Sequence, residues 1–553
     1  MRSEPTVPGL YFSVTPPPAA PSPLRSDVAG FIGRTRRGPV GVPIRVEGWR
    51  GYQREFGGLA RDVVMTYAIR GYFDNEGEVA HVIRLCHQSA TPATAEWKIG
   101  ELDKQGQWTA SSPAGFEYAS YRIEATSPGA WANNTRIAIT YRRRGASGGP
   151  ELDVTVGVPD EPVQYFTGLS LASELAADNE NPANTFEEFV ASGSRFIRLV
   201  PLGPKATRRL PTEGPHLKEW ERELTLRDGQ DSAAGETPGK QSYLDALTML
   251  GDVGEVALVA VPGLFDDIPD DPDDPDAEQN EVLVALVEQA EQLRDRLVLI
   301  DVRTDREHQG EADQALREVE KTLDWIEGLR RNADDKAARA AAVYHPRLTI
   351  LDPLGGLRHP LREVPPSGHV AGVISRLDRQ RGAHYTPANA EIFGAVDVTQ
   401  SFDPLEQARL NLTGVNLLRC FAGKGLLVWG GRTLHLDPER RFLVYRRLIH
   451  RLVRAIRRVA EPLVFETNGP ELWLALARSI TTILLEAWRA GALKGARQEE
   501  AFRVRCNAEN NPPDEIDLGR VLCEIDVAPA APMEFIELRL SFSGQGKLEV
   551  FET

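Results

Sequence analysis

Short apolar runs that alternate with longer amphipathic segments constrain this chain most. Residues 28–33 (VAGFIG), 79–86 (VAHVIRLC), 256–261 and 297–302 are brief and almost continuously apolar. Such runs suit strands covered on both faces. Between and beyond them, 60–73, 281–295 and 312–331 repeat their apolar residues with a helical period, and 349–351 reads as a further strand. This succession predicts an α/β (α+β) multidomain fold with a mixed, largely parallel sheet core and flanking helices.

The chain has 553 residues, which calls for more than one domain. Its 64 Lys and Arg against 80 Asp and Glu give a net charge of −16, which speaks against nucleic acid as a partner. Cys86, Cys420, Cys506 and Cys523 form no CxxC pair, so neither a structural zinc site nor a disulfide framework is expected. Met1 leads into Arg-Ser-Glu-Pro rather than an apolar segment, and no run is long enough to span a bilayer. Cytoplasmic synthesis is the expectation.

Both ends read as extended β-prone arms. Gly9, Leu10, Tyr11, Phe12 and Val14 form a short strand-like segment, tethered by Pro16, Pro17, Pro18, Pro21 and Pro23. It is either a disordered terminus or a strand that pairs with another subunit. At the other end, EFIELRLSF (534–542) and KLEVF (547–551) are strands around Gly544-Gln545-Gly546. Between about 88 and 160 the texture becomes short strands and turns, a β-rich insertion. The acidic stretch 265–280 lacks the glycine and terminal glutamate of a calcium loop and reads as a solvated loop.

The catalytic motifs fail one by one. Gly33 and Gly38 have phosphate-loop spacing, but Pro39 and Val40 follow where Lys and Ser or Thr are needed. There is no GxSxG elbow and no HExxH. Ser367 and His369 could be a nucleophile and base, but Ser367 after two prolines reads as a helix cap. Asp378, Arg379, Arg381 and His384 read as ion pairs or subunit contacts rather than an acid–base cluster.

Over 439–461, Arg440, Arg447, Arg451, Arg454 and Arg458 fall within roughly 40° of one line on a helix. Leu448, Ile449, Leu452, Val453 and Ile456 lie opposite. The stripe is either a solvated basic face or a docking face for an acidic partner, which would relieve the repulsion among like charges.

Several spaced blocks, in order, carry a resemblance. They are Pro8-Gly9-Leu10-Tyr11 with 28–33, Gly38-Pro39 and 49–58; then 127–134 (SPGAWANN); then 365–381 with Tyr385-Thr386-Pro387-Ala388-Asn389; then Gly414-Val415-Asn416, Val428-Trp429-Gly430-Gly431-Arg432-Thr433-Leu434 and Phe465-Glu466-Thr467-Asn468. Further matches follow at Leu472-Trp473, Arg478-Ser479-Ile480, 485–488, Gly491-Ala492-Leu493 and 517–528. With these the chain resembles the contractile tail sheath proteins of phages, R-type bacteriocins and contractile injection systems. The resemblance is dense over 364–540 and 8–85 and thin over 200–350.

The resemblance implies a structural subunit, not an enzyme, without catalytic residue, cofactor or metal. Such subunits stack as hexameric rings in a helical homopolymer around an inner tube and contract without ATP to drive the tube through a target envelope. Implied partners are further copies of the chain, an inner tube protein, baseplate and terminator or cap proteins, other sheath paralogues and a AAA+ ATPase. Neither nucleic acid nor a membrane span is implied. Assembly would be cytoplasmic, within a virion or released tail-like particle. Strand exchange between subunits would use Gly9, Leu10, Tyr11, Phe12 and Val14, and Phe535, Ile536, Leu538, Leu540, Leu548, Val550 and Phe551. The arginine stripe would meet the tube or a neighbour. The expected organisation is an arm over 1–25, an α/β segment over 26–87 joining the core, the β-rich insertion over 88–160, an α/β middle domain with the acidic loop over 161–355, a C-terminal sheath core over 356–530 and a C-terminal strand arm over 531–553. The rival reading is an α/β hydrolase-like enzyme built around Ser367 and His369 or Asp378 and His384.

Overall fold

A computed structural model describes residues 25–552, apart from 99–100, 103–107, 110–119, 144–149, 170–192, 203–219, 233–235, 269–276, 304–311, 439, 531–535 and 543–547. Its centre is an eight-stranded sheet of β1 (Ala29–Arg34), β2 (Ile44–Glu47), β3 (Val79–Leu85), β4 (Leu258–Ala260), β5 (Leu297–Asp301), β6 (Ala341–His345), β7 (Val415–Phe421) and β8 (Gly425–Trp429). The strand order is β2-β3-β1-β4-β5-β6-β7-β8. The inner strands run parallel, and antiparallel β2 and β8 flank them. The outer edge of β8 is bonded by 389–392, through Asn389 N–H to the Val428 carbonyl and Ile392 N–H to the Leu426 carbonyl. Covering an edge in this way removes a site of uncontrolled pairing.

Strand periodicity distributes the core between the two faces. In β5, Val298 and Ile300 meet α2 (Lys240–Gly251), α3 (Ala277–Leu293) and α4 (Ala312–Asn332), through Leu247, Leu250, Leu286, Ile326 and Leu329. Leu297 and Leu299 turn the other way, to α1 (Val64–Asp74) and α5 (Ser367–Arg381), through Ile69, Tyr72, Val370 and Ile374. Each such side chain contributes about 1.5–3 kcal/mol by leaving water. The α1–α5 contact is backbone-close. A Cβ added at Gly368 would sit 2.1 Å from the Ala68 carbonyl oxygen.

Two sequence expectations differ here. The run at 349–351 is a strand, but not of the main sheet. Leu348–Leu351 pairs with Leu361–Val364 and Ala395–Val398 in a separate antiparallel sheet. The central strand beside β5 is β6, whose alanine-rich approach disguises it.

The β-rich insertion is also larger than 88–160. Ile197–Leu202 pairs with Ser120–Ala125, which also pairs with Thr94–Lys98. Trp220–Thr225 and Gln164–Leu169 complete a second sheet with Arg136–Arg143 and Pro150–Gly157. One core of Trp97, Tyr121, Ile123, Ile139, Val154 and Leu226 joins the two sheets. The unit therefore extends beyond Trp220, because partners far apart in sequence close it.

The helix α6 (Pro404–Leu412) belongs to the main domain, where Leu410 joins the core, and the C-terminal unit begins with α7 (Leu443–Ala460) and α8 (Pro470–Arg489). These pack on an antiparallel sheet of β9 (Phe502–Arg505), β10 (Val521–Val527), β11 (Ile536–Phe542) and β12 (Leu548–Glu552), in that order. Alternate residues of β10 are buried, and Cys523, Ile525 and Val527 join Leu448, Leu452, Ile456, Ile480 and Leu484 in one cluster.

Candidate functional site

The helix α7 connects the roots of the two chain ends. Its apolar side packs on α8 and on β9 and β10, which carry β11 and β12. Its arginine side lies on carboxylates and carbonyls of the main domain. Buried Arg447 donates to buried Asp378 of α5, and to the Ser26 carbonyl at 3.4 Å. Arg454 donates to the Glu255 carbonyl (2.7 Å), Arg446 to Glu291 (2.6 Å) and Arg457 to Asp295 (3.3 Å). Glu291 also takes Arg339 at 2.6 Å, and Arg296 donates to Asp295 at 2.8 Å.

These contacts overturn the expectation of a free stripe at Arg447 and Arg454. The helical period is right, but the face looks inward. Arg440 lies ahead of the helix and pairs with Asp437 at 3.8 Å, while Arg451 and Arg458 are half-buried. The acidic partner that five like charges call for is, for Arg447, the chain itself. His450, buried beside Arg446 and Arg447, is driven well below its ordinary pKa by burial and then by those cations.

The root of the N-terminal arm is fastened to the same place. Asp27 pairs with Arg25 at 2.7 Å. Its carbonyl accepts from Ser375 (2.8 Å) of α5 and Tyr72 (3.0 Å) of α1. Arg379 reaches Glu78 at 3.1 Å. The expected strand residues Gly9, Leu10, Tyr11, Phe12 and Val14 lie outside the described residues, as does Phe535. Ile536, Leu538 and Leu540 lie on β11, and Leu548, Val550 and Phe551 on β12. Within the single chain, β11 pairs with β10 from Val521↔Phe542 to Val527↔Ile536, and β12 pairs with β11. Here the arm lies on its own sheet. The chain is fastened up to Ala530, whose N–H donates to the Ala492 carbonyl.

The enzyme candidates are otherwise engaged. Ser367 is wholly buried, and its hydroxyl (2.6 Å) and N–H (2.8 Å) both donate to Asp301. The expected cap is therefore a tether, with Pro366 at the capping position. Burial pushes Asp301 up to about 6 against those two bonds. His369 packs on Gly71, and burial holds it down to about 4. Asp378 belongs to Arg447, and the His384 ring lies 4.6 Å from that of Tyr385.

Several sequence blocks noted above meet in space. Gly38 N–H donates to Ser127 Oγ (3.2 Å), while Arg84 donates to the Gly38 (2.9 Å) and Pro128 (2.8 Å) carbonyls. Together they fasten the insertion to the main sheet. Fully buried Asn416 donates to the Val343 and Arg432 carbonyls and accepts from Arg432 N–H, joining β7 to the chain after β8.

The family model for the phage tail sheath protein central domain matches residues 236–434, and that for the phage tail sheath C-terminal domain matches 437–543. Between them they take in more than half of the chain. Over 181 residues the chain is 27% identical to the tail sheath protein of Vibrio phage KVP40, a match covering 32% of this chain and 26% of that protein. The matched part is thus about a quarter of that relative's length. The fold is similar to the crystal structure of a sheath tail protein from Listeria innocua (TM-score 0.61, 14% identity, 94% of this chain and 95% of that one). It is also similar to the helical sheath of the anti-feeding prophage in its contracted state (TM-score 0.51, 20% identity, 96% and 98%).

Proposed function

The chain belongs to the phage tail sheath protein family, and from that premise we propose that it polymerises as stacked hexameric rings around an inner tube and contracts without ATP. The supporting observation is that one helix holds both arm roots. α7 meets Ser26 and Asp378 on its arginine face and the β9–β10 sheet on its apolar face. A pull on either arm thus reaches the same rigid body. Rigid-body motion with the mesh of arms intact is a mode of switching that needs no nucleotide.

The arms supply the joints. β11 bonds to β10 through backbone groups, so a neighbour's copy of 536–542 can occupy the same register on β10. Only residues 531–535 separate Ala530 from Ile536, a reach of ~20 Å in extended chain. Val14 to Arg25 allows ~35 Å. Donation therefore demands a neighbour whose sheet edge lies within those distances. Contacts of this heterologous kind propagate into helices rather than closing as pairs.

Further partners are proposed on the same basis: an inner tube protein, a baseplate and a cap protein, with Arg440 exposed and Arg451 and Arg458 half-buried as the stripe residues that reach solvent. Paralogous sheath proteins and a AAA+ ATPase complete the set, and the particle would assemble in the cytoplasm. Electron microscopy of the purified chain tests the proposal. Striated tubes are expected, and a chain lacking 535–553 should remain folded by circular dichroism yet form none. Tubes from the truncated chain would remove the arm from the mechanism. A discrete soluble oligomer from the full chain would remove polymerisation itself.

A further inference from the structure

Two of the four cysteines face each other across the pair of strands that receives the C-terminal arm. The register of β9 on β10 runs Phe502↔Val527, Arg503↔Asp526, Val504↔Ile525, Arg505↔Glu524. One step further sets Cys506 opposite Cys523. Ala528 N–H donates to the Ala501 carbonyl at 2.8 Å, so the pair preceding Phe502↔Val527 is a hydrogen-bonded one. Pair types alternate along an antiparallel ladder, which makes the 506/523 pair non-hydrogen-bonded. Such pairs have Cα atoms ~4.5 Å apart, inside the ~4.4–6.8 Å range of disulfides.

Side-chain direction agrees. Phe502 and Val504 share one face of β9, Cys506 follows directly after it in the same alternation, and all three pack into the cluster that holds Cys523, Ile525 and Val527. Asn511 keeps the chain after Cys506 against β10, donating to the Leu522 carbonyl (3.0 Å) and accepting from Leu522 N–H (2.6 Å). Cys506 is half-exposed and Cys523 buried, both as free thiols. That gives one thiol within reach of a reagent and one waiting beside it.

We propose that Cys506 and Cys523 form a reversible cross-strand disulfide, a redox clasp on the sheet that carries the C-terminal arm. The oxidant is a low-molecular-weight disulfide such as oxidised glutathione. The Cys506 thiolate attacks one of its sulfurs and expels one glutathione thiolate, leaving a mixed disulfide. Cys523 then loses its proton, attacks Cys506 Sγ and expels the second glutathione. Two protein thiols are oxidised and one glutathione disulfide is reduced. Cys506 is suited to attack first, because hydrogen bonds from Cys523 and Asn511 hold it below its ordinary pKa in spite of its burial. A closed clasp fixes β9 to β10 whatever the chain assembles into. It stiffens the template for the arm when the protein leaves a reducing compartment.

The full chain, treated with oxidised glutathione and then alkylated and digested, gives the test. A Cys506–Cys523 linked peptide is expected, lighter by two hydrogens than the reduced pair and lost on reduction, with Cys86 recovered alkylated. The oxidised chain should melt at a higher temperature than the reduced one, and Cys506→Ser should abolish both the link and the shift. Exposed Cys420 reports that the oxidant has acted. A persistent glutathione adduct on Cys506, or Cys506 and Cys523 both recovered alkylated while Cys420 has reacted, would overturn the proposal. The wild-type peptide map decides the matter even if the serine variant fails to fold.

Discussion

Replacing Arg447 by Met tests whether the arginine face of α7 is an internal clamp. The guanidinium and the Asp378 carboxylate are only 4% and 2% exposed, so neither recovers solvation when its partner is lost. Breaking a buried pair from one side costs about 3–5 kcal/mol, mostly the penalty of an uncompensated charge. Against a typical domain stability of about 5–15 kcal/mol this is a large fraction. Burial already holds the Asp378 carboxyl above its ordinary range, with Arg447 pulling it back. Without Arg447 that carboxyl protonates more readily, so the penalty should shrink as pH falls. Replacing both partners, Arg447→Met with Asp378→Leu, should recover most of the loss, since apolar groups of similar volume often substitute for a buried pair without cost. Urea titrations with hydrogen exchange of α7 peptides give the measurement. Arg45→Met serves as control, because Arg45 and both of its partners, Glu47 and Glu255, reach solvent, so the variant should leave the urea midpoint nearly unchanged. A single variant within about 1 kcal/mol of wild type, against the 3–5 expected, would refute the clamp. So would a double variant no better than the single.

Two further outcomes follow from the core. Burial holds His345 and His369 down to about 4, so both stay neutral in the fold while the unfolded chain protonates them near 6.5. Their contribution is complete above that unfolded value and is lost as pH falls through about 4, amounting to about 3 kcal/mol each. His369→Gln should flatten the stability–pH curve between those limits, and an unchanged slope in urea midpoints would count against neutral burial. Gly368→Ala forces a Cβ onto the Ala68 carbonyl, so it should cost at least about 1–3 kcal/mol and lower the melting temperature. A neutral effect would mean that α1 and α5 separate easily.

The parts of the fold that were legible in sequence are those where one local period suffices. β1, β3, β4 and β5 show as apolar runs, and α1, α3 and α4 as amphipathic ones. β6 is not legible because the alanines before Val343 fit a helix as well as a strand. The full extent of the insertion is hidden in sequence because its closing strand, Trp220–Thr225, pairs with Arg136–Arg143, which no local pattern announces. The arginine stripe shows the limit best. Its period could be read from sequence, but its burial could not. Asp378 stands 69 residues from Arg447, and Glu291 stands 155 from Arg446. Basic residues on one helix face signal a need for negative charge without saying whose. The resemblance blocks fared better because they mark tight contacts. Gly38 and Ser127 meet at the insertion's root, and Asn416 joins β7 to the chain after β8.

The most direct test of the central claim is a cryo-electron microscopy map of the assembled polymer, clear enough to trace the chain from Ala530 to Ile536. Strand donation predicts that β10 of each subunit pairs with residues 536–542 of a neighbour, in the register Val521↔Phe542 to Val527↔Ile536. A polymer in which every subunit keeps 536–542 on its own β10, with no density crossing between sheets, would contradict it.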